Sequence, residues 1–418
     1  MKVYIETVGC KLNQFESQAL AEALKKKSFG IAENIESSDF VLVNTCSVTQ
    51  NADRKSRQIM KKAKKLGKKV IATGCYVTTD FTELKNAEFA DLIVKNESKF
   101  SIPEFLEKHL SLEEKIPQLK KSSEFPIVHQ FERTRAFVKI QDGCDKFCSY
   151  CKVPLARGRS RSLDPNTIIN FIQKLTENGY KEIVLTGVNI SDYFYRGINL
   201  FDLVKSILEL PGNFRLRLSS LQPDEFDFRL IDLLKDPKMT NHFHLSLQSG
   251  SKDVLKRMNR HYEPSFFLSL IQQIRQVSPD CGITTDIIIG FPEETEKEFE
   301  ETMNFLEEAA FTRVHAFSYS PRPHTKASGM KDIPQEIKKR RLHRLEEKAI
   351  EIGRTFIEKN ILGKSYSVLI ETRESGKYTG YTSNYLKIYS QKELRENEFY
   401  SLIPRSVLRN KNALELTE

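Results

Sequence analysis

An α/β fold in three parts follows from three features of the 418-residue sequence. Strand-like and helix-like runs alternate through the first third. The alternation restarts at Ala136 and continues to about residue 320. The last 55 or so residues carry only short alternating strands. Such a length accommodates two or three domains with substantial cores.

In the first part, Val3 to Val8, Asp39 to Asn44 and Lys69 to Thr73 are short β-rich runs. Between them, Gln14 to Lys27 and Asn51 to Leu66 read as helices. Ile59, Ala63 and Leu66 keep the spacing of a buried helical stripe. Strands alternating with helices imply a parallel sheet covered on both faces. A cysteine follows each strand: Cys10, Cys46 and Cys75. Ligands bind at the carboxyl ends of the strands in an open α/β sheet, so three distant thiols converge on one edge. A free cysteine is otherwise a small buried residue, which accounts for any one of them but poorly for all three.

The helix from Asn51 is rich in cations: Arg54, Lys55, Arg57, Lys61, Lys62, Lys64 and Lys65, with Lys68 and Lys69 beyond it. Such a run is either a solvated face or a phosphate-binding one. The polar segment from Leu110 to Phe125, with one proline and little periodicity, reads as a linker.

The middle part opens with the strand Ala136–Gln141 and then Gly143-Cys144-Asp145-Lys146-Phe147-Cys148-Ser149-Tyr150-Cys151. The C-x-x-x-C-x-x-C spacing lets one loop wrap three thiolates around a single inorganic centre. A closed zinc site needs a fourth Cys or His, and none lies in or just after this loop. A 4Fe–4S cluster on three cysteines keeps one iron open for another ligand. Further strands are expected at Glu182–Thr186, Phe214–Ser219, His242–Leu247, Gly282–Ile289 and Arg313–Tyr319. The helices between them leave a doubly wound sheet and a partial (β/α) barrel both open. In either, the strand ends carry the unusual residues: Thr186-Gly187, Ser219 to Pro223, Gln248-Ser249-Gly250, Gly290 to Glu293 and Ser320-Pro321-Arg322. Cys281 precedes its strand and reads as a core thiol. Arg157, Arg159 and Arg161 form a basic loop just after the cysteines, suited to an RNA backbone or to plain solvation.

Pro334 to Ile361 reads as one helix with an apolar stripe through Leu342, Leu345, Ala349, Ile352 and Phe356. Beyond it, Tyr366–Ile370, Lys377–Tyr381, Tyr385–Tyr389 and a run from Ser406 suggest a small β-barrel. Tyr378, Tyr381 and Tyr385 suit either base stacking or sheet packing.

Composition narrows the setting. Net charge is +9, which favours an anionic partner. No apolar run approaches the roughly 20 residues of a membrane helix, and the opening residues lack a signal-peptide pattern. The expected location is therefore the cytoplasm, with no membrane partner, where clustered cysteines favour metal over disulfide.

The cysteine loop, with Tyr150 before its last Cys, resembles that of radical S-adenosylmethionine (SAM) enzymes. Gly9-Cys10-Lys-Leu-Asn-Gln-Phe-Glu-Ser, Asn44-Thr-Cys46-Ser-Val-Thr, Thr73-Gly-Cys75 and Pro154-Leu-Ala-Arg157-Gly resemble the methylthiotransferases among them. The resemblance spans the whole chain. It implies a second-cluster domain over 1–120, a radical SAM domain with a partial barrel over 130–360, and an RNA-binding TRAM module over 361–418. It implies two 4Fe–4S clusters, on Cys144, Cys148 and Cys151 and on Cys10, Cys46 and Cys75, with SAM as cofactor. Tyr150, Thr186, Gly187, Gln248, Ser249 and Asp286 are the implied SAM-lining residues. The implied reaction splits SAM into methionine and a 5′-deoxyadenosyl radical, abstracts hydrogen from C2 of an adenine, and installs sulfur and a methyl group. The implied partners are tRNA, a one-electron donor such as a flavodoxin or ferredoxin, and a sulfur donor. The motif flavour is nearest the branch acting on N6-threonylcarbamoyladenosine beside the anticodon. Alternatives are isopentenylated adenosine, a ribosomal protein or, in another class, a non-catalytic RNA-binding redox sensor.

Overall fold

Every residue of the strand Phe40–Thr45 is buried, so the strand requires cover on both faces, which a parallel sheet between helices provides. Five strands, β1 (Lys2–Thr7), β2 (Gly30–Ile31), β3 (Phe40–Thr45), β4 (Lys69–Gly74) and β5 (Leu92–Lys95), pair in parallel in the order β2-β1-β3-β4-β5. Alternation along β3 sends Phe40 and Leu42 into a core with Leu20, Leu24 and Ile102. Val41 and Val43 enter the opposite core with Met60, Ala63 and Val77. Helix α1 (Lys11–Lys26) thereby covers one face, and α2 (Gln50–Lys65) and α3 (Cys75–Thr79) cover the other. The Thr49 hydroxyl caps α2, accepting the Ala52 N–H at 3.2 Å. In this strand order the crevice opens between β1 and β3, where the connections diverge to opposite faces.

The computed structural model describes residues 1–121, 125–128, 131, 134–408 and 412–416. They fall into two compact units. The first comprises Met1–Phe131, Gln141–Leu163 and Ser320–Ser328; the second comprises Glu132–Ile140, Asp164–Tyr319 and Gly329–Glu418. The expected linker differs from expectation over its described part. Leu112 is buried, and the Lys115 carbonyl accepts the Ile93 N–H at 2.8 Å, so the segment extends the edge beside β5. Ser122, Ser123 and Glu124 lie outside the described residues.

In the second unit, Arg135–Lys139, Glu182–Thr186 and Arg215–Leu218 form one parallel sheet. Ser220–Leu221, His242–Leu245, Gly282–Ile289 and Arg313–Ser318 form another. The chain passes from the first sheet to the second between Leu218 and Ser220, giving the strand order of a partial (β/α) barrel. A 26-residue helix, Gln335–Asn360, follows. Six strands end the unit, all paired antiparallel except Lys387–Ser390 with Ala413–Leu416. Phe399–Leu402 and Ala413–Leu416 escape the sequence reading because they are short and weakly apolar. Among the described residues, no helix is long and apolar enough to cross a membrane.

A buried charge network occupies the amino-terminal end of the barrel strands. Glu182 accepts from Arg215 Nη2 at 2.6 Å and Arg217 Nε at 2.9 Å, and Arg135 pairs with Glu371 at 2.9 Å. Tyr381 and Tyr385 stack on each other at 4.7 Å. Arg135 lies over the Tyr381 ring and Arg217 over the Tyr385 ring. Sheet packing, rather than base stacking, is therefore the role of these two tyrosines. Tyr378 packs against the carboxyl-terminal core, with Arg373 over its ring.

Burial alone would raise the Glu182 carboxyl, but Arg215, Arg217 and Arg135 outweigh it and hold the group down at about 2, against an ordinary 4.5. Its charge thus stabilises the fold above about pH 4.5, and that contribution is lost as the pH falls toward 2. Glu182→Gln should cost about 3–5 kcal/mol at neutral pH, because the buried Arg215 and Arg217 guanidinium groups lose their shared anion. Urea denaturation across this range should show a shallower acid dependence in the variant; matching curves would refute the assignment.

Candidate active site

Cys10 caps the amino end of α1 immediately beyond β1, Cys46 follows β3, and Cys75 opens α3 beyond β4. Hydrogen bonds pin the three connections together. Asn13 Nδ2 donates to the Val8 carbonyl at 2.8 Å and the Thr45 carbonyl at 3.0 Å. Asn44 Nδ2 donates to the Asn13 carbonyl at 3.0 Å, and Thr45 Oγ1 to the Thr73 carbonyl at 2.6 Å. Gly9 has φ +111°, and a Cβ there would fall 2.6 Å from Cys46 Sγ. Only glycine admits so close an approach of the two cysteine loops.

The thiols sense one another. Desolvation, followed by the neighbouring Cys10, pushes the Cys46 thiol up to about 12, with Cys75 adding to the effect. Desolvation raises Cys75 as well, opposed by the charges of Arg157 and Lys99. None of these cysteines is in a disulfide. Two free thiols that resist ionisation unless a cationic centre displaces their protons, with the Cys10 thiol beside Cys46, fit an iron–sulfur cluster. Among the described residues, no three His, Cys, Asp or Glu side chains are placed to share one metal ion. A cuboidal cluster gives each cysteine its own iron and so spaces thiolates more widely than a single ion does.

The second triplet lies in the same compact unit. The short strands Gln141–Asp142 and Arg161–Ser162 pair antiparallel and close the base of a loop. Gly143 is required at that base, since a Cβ there would fall 1.9 Å from the Arg159 carbonyl oxygen. Cys144 N–H donates to the Gly158 carbonyl at 3.1 Å, and Cys151 N–H to the Cys148 carbonyl at 3.0 Å. Cys144, Cys148, Tyr150 and Cys151 are all half-buried.

Buried polar bridges join the loops that carry the two triplets. Arg157 donates to Glu16 at 2.8 and 3.0 Å, to Asn13 at 2.9 Å and to Asp142 at 3.1 Å. Lys99 donates to Glu16 at 2.7 Å. Elsewhere in the unit, Lys152, the residue after Cys151, grips Asp80 at 2.7 and 3.0 Å. From there Thr79 leads to Ser47, the residue after Cys46. Arg322 completes that chain, donating to Ser47 at 3.1 Å and contacting Asp53.

Arg157 is thus a correction to its expected RNA contact: its side chain is only 2% exposed and saturated by protein groups. Arg159 and Arg161 differ, with side chains 75% and 45% exposed and single carboxylate neighbours, Asp145 and Asp142. Sequence reasoning missed Glu16, Lys99, Asp80 and Lys152. Asn13 and Glu16 left one signal, being polar residues three apart on the face of α1 that follows Cys10.

Within the second unit, Thr186, Gly187, Gln248 and Ser249 lie at or just beyond the carboxyl ends of barrel strands, and Asp286 lies in the middle of Gly282–Ile289. The Thr186 carbonyl accepts the Ile140 N–H at 2.9 Å. Gln248 has φ +70°, bonds through its N–H to the Asp286 carbonyl at 2.8 Å, and accepts from Ile288 N–H at 2.9 Å. Ser249 is buried, and its hydroxyl supports the turn by accepting the Ser251 N–H at 3.2 Å. The Asp286 carboxylate meets His244 Nε2 at 3.1 Å, while His244 Nδ1 faces Thr284 Oγ1 at 2.9 Å. His244 was overlooked, although the alternation His242-Phe243-His244 places two imidazoles on one face, where both meet the Thr284 hydroxyl. Cys281 is fully buried, as expected of a core thiol.

Comparison with known proteins places the chain. The radical SAM superfamily profile matches residues 138–306, and that of Uncharacterized protein family UPF0004 matches residues 2–95. The threonylcarbamoyladenosine tRNA methylthiotransferase MtaB of Aquifex aeolicus is 39% identical over 381 residues, covering 88% of this chain and 93% of that protein. The Thermotoga maritima protein of the same name is 37% identical over 417 residues, covering 97% and 94%. A tRNA-2-methylthio-N(6)-dimethylallyladenosine synthase from Helicobacter acinonychis is 35% identical, covering 89% and 88%. Among solved structures, the radical SAM methyltransferase TsrM from Kitasatospora setae superposes with a TM-score of 0.57 at 15% identity, over 78% of this chain and 77% of that one. That likeness concerns the fold alone.

The burial contrast within the basic loop is measurable. Arg157→Gln should cost about 3–5 kcal/mol, since Glu16 and Asp142 stay buried with less counter-charge. Arg159→Gln should stay within about 1 kcal/mol, as for other exposed pairs. Equal effects on denaturant-induced unfolding would contradict the arrangement described.

Proposed function

The chain belongs to the tRNA methylthiotransferases of the radical SAM superfamily, and on that premise we propose that it converts N6-threonylcarbamoyladenosine in tRNA to the 2-methylthio derivative. The observation that carries this reading is the presence of both cysteine triplets in one compact unit, on loops joined by buried ion pairs. An enzyme that must cleave SAM and also deliver sulfur needs both centres at one site. The 37–39% identity to relatives named for threonylcarbamoyladenosine favours that substrate.

Cys144, Cys148 and Cys151 would hold the cluster that binds SAM, and Cys10, Cys46 and Cys75 the other. Bound there, these cofactors supply one-electron cleavage of SAM, the sulfur atom and the methyl group that replace hydrogen at C2 of the adenine. The chain's own task is placement. Gly9 and Asn13 fix the Cys10 and Cys46 loops against each other, and Arg157 binds the base of the other loop to Glu16. Thr186, Gly187, Gln248 and Asp286 are assigned to SAM binding together with Tyr150, and His244 orients the Asp286 carboxylate. Ser249 serves that group by holding its turn. Arg159 and Arg161 are assigned to the tRNA backbone. A one-electron donor such as a flavodoxin or ferredoxin and a sulfur donor complete the reaction, which runs in the cytoplasm where tRNA is modified.

The domain assignment follows the same reading: a second-cluster domain over 1–120, a radical SAM domain over 130–360 and an RNA-binding module over 361–418. The cysteine loop forms part of the radical SAM sequence even though it packs within the first compact unit.

Reconstituted wild-type protein should form 5′-deoxyadenosine from SAM under reducing conditions; no product would favour a redox sensor instead. Cys148→Ala should abolish that cleavage. Cys46→Ala should retain cleavage yet yield no methylthiolated nucleoside. Nucleoside mass spectrometry of tRNA from a strain lacking the chain should show loss of 2-methylthio-N6-threonylcarbamoyladenosine. Loss of the isopentenylated counterpart instead would reassign the substrate.

A further inference from the structure

The cation-rich helix α2 is sorted by the fold into two sets. Five of its run are engaged. Arg57 bonds to the Tyr76 hydroxyl at 2.7 Å, Lys62 meets Glu36 at 3.3 Å, and Lys64 meets Asp91 at 2.6 Å. Lys68 is tied to the Glu36 and Ser38 carbonyls, and Lys69 to the Leu110 carbonyl. The remaining four, Arg54, Lys55, Lys61 and Lys65, are exposed. Among the described residues none of them is matched to a carboxylate; Lys61 alone has a neighbour, the Phe89 ring at 5.7 Å.

Their arrangement is not scattered. Arg54, Lys61 and Lys65 stand at i, i+7 and i+11, which an α-helix places within about 20° of one line, over about 16 Å. The only acid on the helix is Asp53, which is about 100° around the helix from Arg54 and buried against Arg322. Like charges four residues apart, such as Lys61 and Lys65, repel and weaken an isolated helix. A protein that needed only solubility would intersperse acids along this face. The stripe begins just past Cys46, since α2 starts at Gln50.

We propose that Arg54, Lys61 and Lys65 form a rail for the phosphate backbone of an RNA stem, leading away from the Cys46 loop. The inference rests on the tRNA reading above and adds the surface that holds the stem. A straight row of unpaired cations suits a polyanion of regular charge spacing, and contacts of this kind release counterions without reading sequence. Lys55, about 100° around the helix from Arg54, flanks the row.

The test uses reconstituted full-length protein and a fluorescent anticodon stem-loop RNA, with binding followed by anisotropy over a salt series. The triple variant R54A/K61A/K65A should bind at least about tenfold more weakly at low salt. Its log–log salt slope should fall by about 2 to 3, as expected for three lost phosphate contacts. In turnover the loss should appear in KM for the RNA. The paired variant K68A/K69A, which removes engaged cations, should keep the wild-type slope. Iron content and thermal unfolding identify any variant that fails to fold, in which case the single variant K61A, with a slope change near 1, decides. An unchanged affinity and slope in the triple variant overturns the rail. So does retained RNA binding combined with lost binding to a poly-glutamate peptide, which would assign the stripe to an acidic protein. If wild-type protein modifies no tRNA, the function reading falls while the slope comparison still judges the rail.

Discussion

Burying a guanidinium is costly unless its donors and its charge are met, and Arg157 meets both requirements with groups from two sequence-distant loops. Glu16 and Asn13 come from the helix that begins at Cys10; Asp142 comes from the strand that leads to Cys144. Displacing either loop would leave a buried ion unpaired, so the pair fixes where each cysteine loop can rest. Lys99 shares Glu16, making the centre a buried arrangement of two cations and two carboxylates. Within the first triplet, the desolvated Cys75 thiol then takes its compensating charge from those same two cations. The site's electrostatics and its geometry therefore have one origin.

The sheet beneath the first triplet imposes the complementary constraint. In the order β2-β1-β3-β4-β5 the connections after β1 and β3 run to opposite faces, and the gap between them cannot be filled by a crossover helix. Cys10 and Cys46 border that gap, and Gly9 lets the loops nearly touch. In the second unit the barrel strands divide their labour by end. Thr186 ends one strand and Gln248 lies just beyond another, with Asp286 in mid-strand beside it, while the amino ends are held by Glu182, Arg215 and Arg217 against strands from the chain's last part.

Much of this was legible in residue order. The strands Glu182–Thr186 and Gly282–Ile289 are legible to their bounds because both are rich in β-branched residues and each is followed at once by a glycine, Gly187 or Gly290. The cysteines were legible because spacing and position after strands are properties of the chain itself. Arg157 is the residue the sequence misassigns, since a basic loop between polar neighbours looks solvated until Glu16, 141 residues away, is brought to it. Tyr381 and Tyr385 were ambiguous for the same reason: aromatic residues on short strands stack on bases or on arginines according to what the fold sets beside them. The polar segment from Leu110 to Phe125 reads as a linker because the few apolar residues within it, Leu112, Ile116 and Leu119, are isolated among polar ones and interrupted by a proline, although the fold packs each against a core.

The sequence by itself determined the α/β class and the two cysteine triplets, because periodicity and ligand spacing are local and survive without knowledge of distant neighbours, while the family followed from the resemblance of whole motifs. Tertiary structure alone decided which charges are buried. It assigned Arg157 and Lys152 to holding the two cysteine loops, gave Asp286 its imidazole partner, and left Arg54, Lys61 and Lys65 on one face of α2 without a carboxylate among the described residues. Those outcomes depend on which opposite charges come within a few ångströms after folding, and a linear order of residues does not specify that.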